Sequence, residues 1–305
     1  MAEVITKLTK DSGIIYEFNK ENVPTKKVAS GTTLTIETYD CFEDQIQSED
    51  TVIGRIDWNR INPATGPVFV ENAKPGDILK VKIEKIDVKD QGVMAVVPEL
   101  GVMGESIEKM EARIMQIKDD KVRFNGVEAP VNKMIGVIGV APEGEGVNSG
   151  TPGAHGGNMD NTMVKEGATL YFPVSADGAL FALGDLHAAM GDGEVSGTGV
   201  EIAGEVTVRL DVIKSDKLEQ PMLENDEVFT QIATGQTFDE AANLATALMT
   251  RRIAEKSGRS LSEVTMLVSM NAQLEVCQVV NPLKTARFVV PKWLLKQLEI
   301  DLIKK

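Results

Sequence analysis

Both histidines of the chain, His155 and His187, fall in one glycine-rich region, with Asn158, Asp160, Asp185, Asp192 and Glu194 beside them. Neutral imidazole ligates metals and moves protons near neutral pH. Imidazole combined with carboxylate suits zinc, whereas carboxylates and carbonyls alone suit calcium or magnesium. In Gly150-Thr-Pro-Gly-Ala-His155-Gly-Gly-Asn158-Met-Asp160, a fold-back at Gly156-Gly157 would bring His155 and Asp160 to one point. The same glycines let backbone approach a small ligand, so Gly156, Gly157 and Asn158 are read as substrate contacts. Asp185 and His187 are two residues apart and share one face of an extended strand; Asp192 and Glu194 repeat that spacing.

Three protein ligands with an open position would leave a water whose pKa could fall to about 7, and the resulting hydroxide attacks carbonyl carbon. Glu194 or Asp192 could then carry a proton to a leaving nitrogen, with His187 also a proton-transfer candidate. The competing reading is that the aspartates cap Asx turns and the histidines satisfy backbone groups. Clustering of both histidines with aspartates favours chemistry. Other mechanisms lack their residues. No Gly-x-Ser-x-Gly elbow is present. Cys41, beside Asp40, is a conceivable nucleophile, although a free, partly buried cysteine is the commoner state. Gly144-Glu-Gly146 and Gly191-Asp-Gly193 carry acids where a nucleotide phosphate would be repelled.

The elements that must position these residues read as mostly strand. Thr32–Thr38 alternates β-branched and polar residues and delivers Asp40 and Cys41 at its end. Residues 4–40 read as short strands, and 57–67, with two prolines and a glycine, as an irregular loop in which Trp58 is an anchor or a pocket wall. Leu79, Val81 and Ile83 alternate with charged residues in a half-buried strand. Residues 113–117 and 121–124 form a strand pair, Asn125-Gly126 offers another hairpin turn, and the apolar run 134–141 reads as a buried strand leading to the His155 loop. Residues 168–174 and 179–183 look like a hairpin running into Asp185 and His187, and 199–213 alternates again. The acidic stretch 220–228 reads as a solvated loop. Thr237 can cap a helix, and Ser260-Leu-Ser-Glu263 is a capping box for a second. Strand returns at 272–280, Asn281-Pro282 breaks it, and 289–295 starts a closing segment that turns helical.

The expected fold is therefore mainly β with an α+β portion: a β-sandwich or jelly-roll-like core with late helices. Residues 1–215 would carry the site, with an α+β region, 216–305, packed on it or intertwined with it. The 305 residues carry 46 acidic against 32 basic side chains, a net charge of -14, which argues against a nucleic-acid partner. No apolar run reaches membrane-span length, and the start, Met-Ala-Glu-Val-Ile-Thr-Lys, lacks a signal-peptide layout, so the expected location is cytoplasmic. Cys41 and Cys277 are expected to be free.

With those residues laid out, the sequence resembles the acetamidase/formamidase family. The likeness rests on Pro-Gly-Ala-His155-Gly-Gly-Asn158-Met-Asp160, on Gly184-Asp185-Leu-His187-Ala-Ala-Met-Gly-Asp192-Gly-Glu194 and on Ile138-Gly-Val-Ala-Pro142. Weaker agreement runs from Thr38-Tyr-Asp40 through Asn62-Pro-Ala-Thr-Gly-Pro-Val-Phe-Val70 to Gln278-Val-Val-Asn-Pro282. The resemblance implies hydrolysis of a short linear amide, formamide or acetamide, to carboxylate and ammonia by a homo-oligomer, commonly a dimer. It also implies that Asp40, His155, Asp160, Asp185 and His187 form a metal or polar centre, zinc being expected over calcium, with Glu194 as the proton-transfer group. Where the family often has glutamine, this chain has Met190. Met159, Met190 and Phe181 are candidates to line an acetyl-sized pocket or to belong to the core. The rival reading is a non-catalytic β-rich protein with a structural calcium or zinc.

Overall fold

The computed structural model describes residues 6–51 and 53–304. Residues 4 and 5 of the expected strand region, and the first residues of the start compared with a signal peptide, lie outside them. The described strands form sheets of nine and eleven strands and a separate two-stranded pair.

Side-chain alternation explains how the layers stack. In the nine-stranded sheet, Leu34 and Ile36 of Thr32–Thr38, Leu79, Val81 and Ile83 of Ile78–Val88, and Leu170 and Phe172 of Thr169–Pro173 point to one side. There they join Ile135, Ile138, Phe181 and Leu183 of the eleven-stranded sheet in the largest apolar core. Ile78, Tyr171 and Met222 face the other way, against α1 (Phe238–Ser257), α2 (Leu261–Asn271) and α3 (Lys292–Gln297). The result is a mainly β sandwich with a late helical layer on one outer face. Among the described residues, no helix is long and apolar enough to cross a membrane.

The strands that follow residue 215 extend the nine-stranded sheet. Met222–Glu224 pairs with Thr169–Pro173, and Val228–Gly235, Lys284–Pro291 and Gln273–Gln278 follow in order to the edge. Residues on both sides of 215 thus share one sheet.

Three local expectations are corrected. Residues 168–174 and 179–183 are not a hairpin: Thr169–Pro173 lies in the nine-stranded sheet and Phe181–His187 in the other. Both runs are apolar throughout, so periodicity could not reveal which sheet each joins. The connection turns the chain between layers through Ala179 and Leu180, at φ 59° and 56°. Second, the irregular loop at 57–67 ends early, because Ala64–Val70 is a strand flanked by Ile14–Ile15, Lys26–Val28 and Phe181–His187. Gly66 is required there by close approach, since a Cβ would stand 2.8 Å from the Phe181 carbonyl oxygen. Third, the acidic loop at 220–228 contains Met222–Glu224, whose Met222 and Leu223 are buried on opposite faces of the sheet.

Helix α1 starts with a reciprocal cap: the Glu240 backbone N–H donates to Thr237 Oγ1, and the Glu240 carboxylate accepts from the Gln236 and Thr237 backbones. Thr237→Ala should lower stability by about 1 kcal/mol. Urea unfolding should show a lower midpoint at unchanged slope.

Candidate active site

The central strand of the site, Phe181–His187, is buried at every residue between Met134–Gly139 on one side and Ala64–Val70 with Glu201–Ile202 on the other. Pairing sets His187 opposite Glu201, with Nε2 and Oε2 3.2 Å apart. The same nitrogen is 3.4 Å from Asp185 Oδ1 and 4.0 Å from Asp160 Oδ1. Register places Gly136 across from Asp185. That glycine keeps a cradle open: a Cβ there would stand 2.5 Å from Asp160 Oδ1 and 2.5 Å from Asp185 Oδ2.

Asp160, Asp185 and Glu194 hold φ values of 41°, 55° and 49°. Such left-handed conformations cost roughly 1–3 kcal/mol each in non-glycine residues and gather at functional sites. The electrostatics are equally unfavourable in isolation. Asp160, Asp185, Glu194 and Glu201 are 0, 2, 6 and 1% exposed. Asp160 Oδ1, Asp185 Oδ1, Glu194 Oε2, Glu201 Oε2 and both His187 nitrogens lack a partner in hydrogen-bond geometry. Burial, followed by the Asp185 charge, raises the Asp160 carboxyl to about 6, and burial with Asp160 beside it raises Glu194 well above the usual range. Burial raises Glu201 to about 8 despite the opposing attraction of His187. Burial alone would depress His187, yet Glu201 and Asp185 hold it well above its ordinary value. Buried carboxylates normally find cations or coordinate metals.

Two groups of side chains each bring ligand atoms within 4.8 Å of one another and could hold a metal ion: Asp160, His187 and Glu194, and Cys41, Asp185 and Glu201. The orphaned oxygens and the cradle over Gly136 fit such an ion, and the nitrogen and oxygen donors gathered there, from Asp160, Asp185, His187 and Glu194, suit zinc.

Asp160, Asp185, His187 and Glu194, all named from sequence, are thus brought together. Asp40, His155 and Asp192 belong to neither group. Asp40 Oδ1 accepts from the Phe42 and Asp44 N–H groups at 2.9 Å and so organises the turn around Cys41. His155 packs its ring on Phe18, with centroids 5.3 Å apart, and burial lowers its pKa to about 4. Asp192 pairs with Arg287 at 2.5 Å, and Arg287 also donates to Asn161, Thr162 and Glu275. This arginine braces the loops that carry Asp160 and Glu194. Gly156 and Gly157 pair with Met134–Gly139, and a Cβ on Gly156 would stand 2.3 Å from the Ile138 carbonyl oxygen. Their smallness serves strand packing there. Met159 and Phe181 belong to the apolar core.

A cavity of about 210 Å³ opens above the carboxylates, lined by Asn158, Asp185, Glu194, Glu201, Asn281 and Cys41 among others. Trp58 is one of its walls. Asn281 donates to the Asn158 carbonyl at 2.9 Å and to Asp160 Oδ2 at 2.7 Å. The sequence reading missed Glu201, Asn281 and Gly136. Glu201 is visible only through its cross-strand pairing with His187, and Asn281 looked like a strand breaker. Cys41, which the sequence offers as a nucleophile or as a free, partly buried cysteine, is buried and free, as is Cys277.

The Acetamidase/Formamidase family matches residues 9–150 and 143–255. Among solved structures, the chain is similar to a predicted acetamidase/formamidase from Thermoanaerobacter tengcongensis, at 48% identity and TM-score 0.95 over 97% of this chain and 98% of that one. It is also similar to an acetamidase from Bacillus halodurans, at 47% identity and TM-score 0.94 over 96% and 100%. A formamidase of Methylophilus methylotrophus is 24% identical over 252 residues, 61% of each chain. The chain spans 61–63% of the length of the curated relatives it matches. The family match takes in the Asp160 loop, the strand with Asp185 and His187, and Glu194 and Glu201; the chain belongs to the acetamidase/formamidase family.

Proposed function

We propose that the chain hydrolyses short primary amides, adding water across the C–N bond to release a carboxylate and ammonia. The observation that carries this reading is the convergence of orphaned carboxylates and His187 over Gly136, directly beneath a small cavity. The family, and relatives named formamidase and acetamidase, support the substrate class.

Asp160, Asp185 and His187 would hold a divalent ion, zinc by donor chemistry. Bound there, such an ion supplies Lewis acidity, polarising a carbonyl and acidifying water. The protein groups around it orient the substrate and move protons. Asn158 Oδ1 is buried without a partner and lines the cavity, so it can accept an amide N–H. Asn281 cannot serve the substrate in the same way, because its amide donates to Asn158 and Asp160 and holds both in place. Glu194 Oε2 is likewise unpartnered at the cavity, where a proton can be delivered to the leaving nitrogen.

Ammonia release from formamide and acetamide, measured with metal content before and after chelation, tests both parts. Turnover should disappear with the metal and return with zinc. Full turnover in protein shown to be metal-free would remove the metal from the reaction and leave the amidase. No turnover of any short amide, with an ion tightly retained, would favour the rival reading of a structural calcium or zinc site.

A further inference from the structure

The cavity combines two chemistries. Its inner end presents the buried Asp185, Glu194, Glu201 and Asn158 together with the half-buried Asn281. Its outer wall takes two apolar side chains from each of three separate loops: Trp58 and Ile61, Val97 and Leu100, Val280 and Pro282. Trp58 and Leu100 stay 51% and 37% exposed. A single exposed apolar residue needs no explanation, but three loops lining one cavity form a designed wall.

That wall is tied to the site. The Val102 N–H donates to the Val195 carbonyl at 2.8 Å, one residue from Glu194. Gly197 lets the loops close up, since a Cβ there would stand 2.7 Å from Leu100 Cγ. Leu100 is therefore held at a fixed position relative to the carboxylate end.

Formamide brings no methyl group to this wall and acetamide brings one. The cavity, at about 210 Å³, exceeds the roughly 150 Å³ that accommodates the six heavy atoms of benzene in an apolar protein cavity, and so has room beyond the four heavy atoms of acetamide. We propose that the preferred substrate is a primary amide with an unbranched apolar acyl chain of roughly three to five carbons, the amide at the carboxylate end and the tail against Trp58, Ile61, Leu100 and Val280. This deepens the amidase reading of the site and rests on it.

Each buried methylene is worth about fourfold in affinity. In the series formamide, acetamide, propionamide, butyramide and pentanamide, kcat/KM should rise about fourfold per carbon from acetamide to butyramide, mostly through KM. Leu100→Asn should flatten the rise, bringing the butyramide-to-acetamide ratio toward one. A variant that merely folded poorly would lower every amide alike and preserve the ratio, which would count against the proposal. Wild-type kcat/KM that falls with chain length while formamide or acetamide still turns over would overturn the acyl preference and leave the amidase intact. Failure of every amide would overturn both.

Discussion

Gly136→Ala should empty the site while leaving the fold standing. The added methyl group would meet Asp160 Oδ1 and Asp185 Oδ2 at 2.5 Å and the Asp185 carbonyl oxygen at 3.0 Å. These oxygens cannot all retreat. Asp185 belongs to a strand paired on both sides, and Asp160 is held through Oδ2 by Asn281. Overpacking of this kind costs about 1–3 kcal/mol, a loss that a sandwich with a large shared core should survive. The larger effect falls on the donor geometry. Bound metal should drop to about one-tenth of wild type or less, and kcat/KM for a short amide should fall by about 10–100-fold, as when ligand supports are disturbed. Metal content, far-UV circular dichroism and a urea midpoint on the same preparation separate a blocked site from a lost fold. A folded variant with wild-type metal content and turnover would remove Asp160 and Asp185 from the proposed ligand set.

Gly136 also marks the boundary of what the sequence could reveal. The strand at Thr32–Thr38 and both helix caps were legible because alternation and capping are local signals. Asp185 and His187 were legible as a pair because they stand two apart at the end of one apolar run, although the left-handed Asp185 breaks the alternation of Phe181–His187, Leu183 and Leu186 both facing the large core. What stayed hidden depends on which strands become neighbours. The apolar run around Gly136 pairs with the Asp185 strand, and only that register explains why a glycine is needed there. Glu201 sits in an apparently ordinary alternating stretch and acquires meaning by facing His187. Asp40, Asp192 and Glu194 look alike in sequence, yet they meet different neighbours. Asp40 finds backbone N–H groups, Asp192 finds Arg287, and one oxygen of Glu194 finds no partner. The acids differ by their surroundings, which are tertiary.

Glu194→Gln should reduce turnover of a short amide by about 10²–10⁴-fold, the usual range for loss of a positioned proton carrier. The amide is nearly isosteric and keeps hydrogen-bonding capacity, so the loss should fall on kcat with little change in KM. Two further readouts separate this role from ligation, because Glu194 also stands within ligand reach of Asp160 and His187. If Glu194 carries a proton, the variant should retain its metal. Its defect should also shrink with phenyl acetate, whose phenolate can leave without being protonated, whereas an amine cannot. If Glu194 is instead a ligand, metal content should fall and the ester should suffer as much as the amide. Glu194 lines the cavity in which the substrate would sit, whereas Asp160 and His187 are not among its lining residues, and this favours the first outcome.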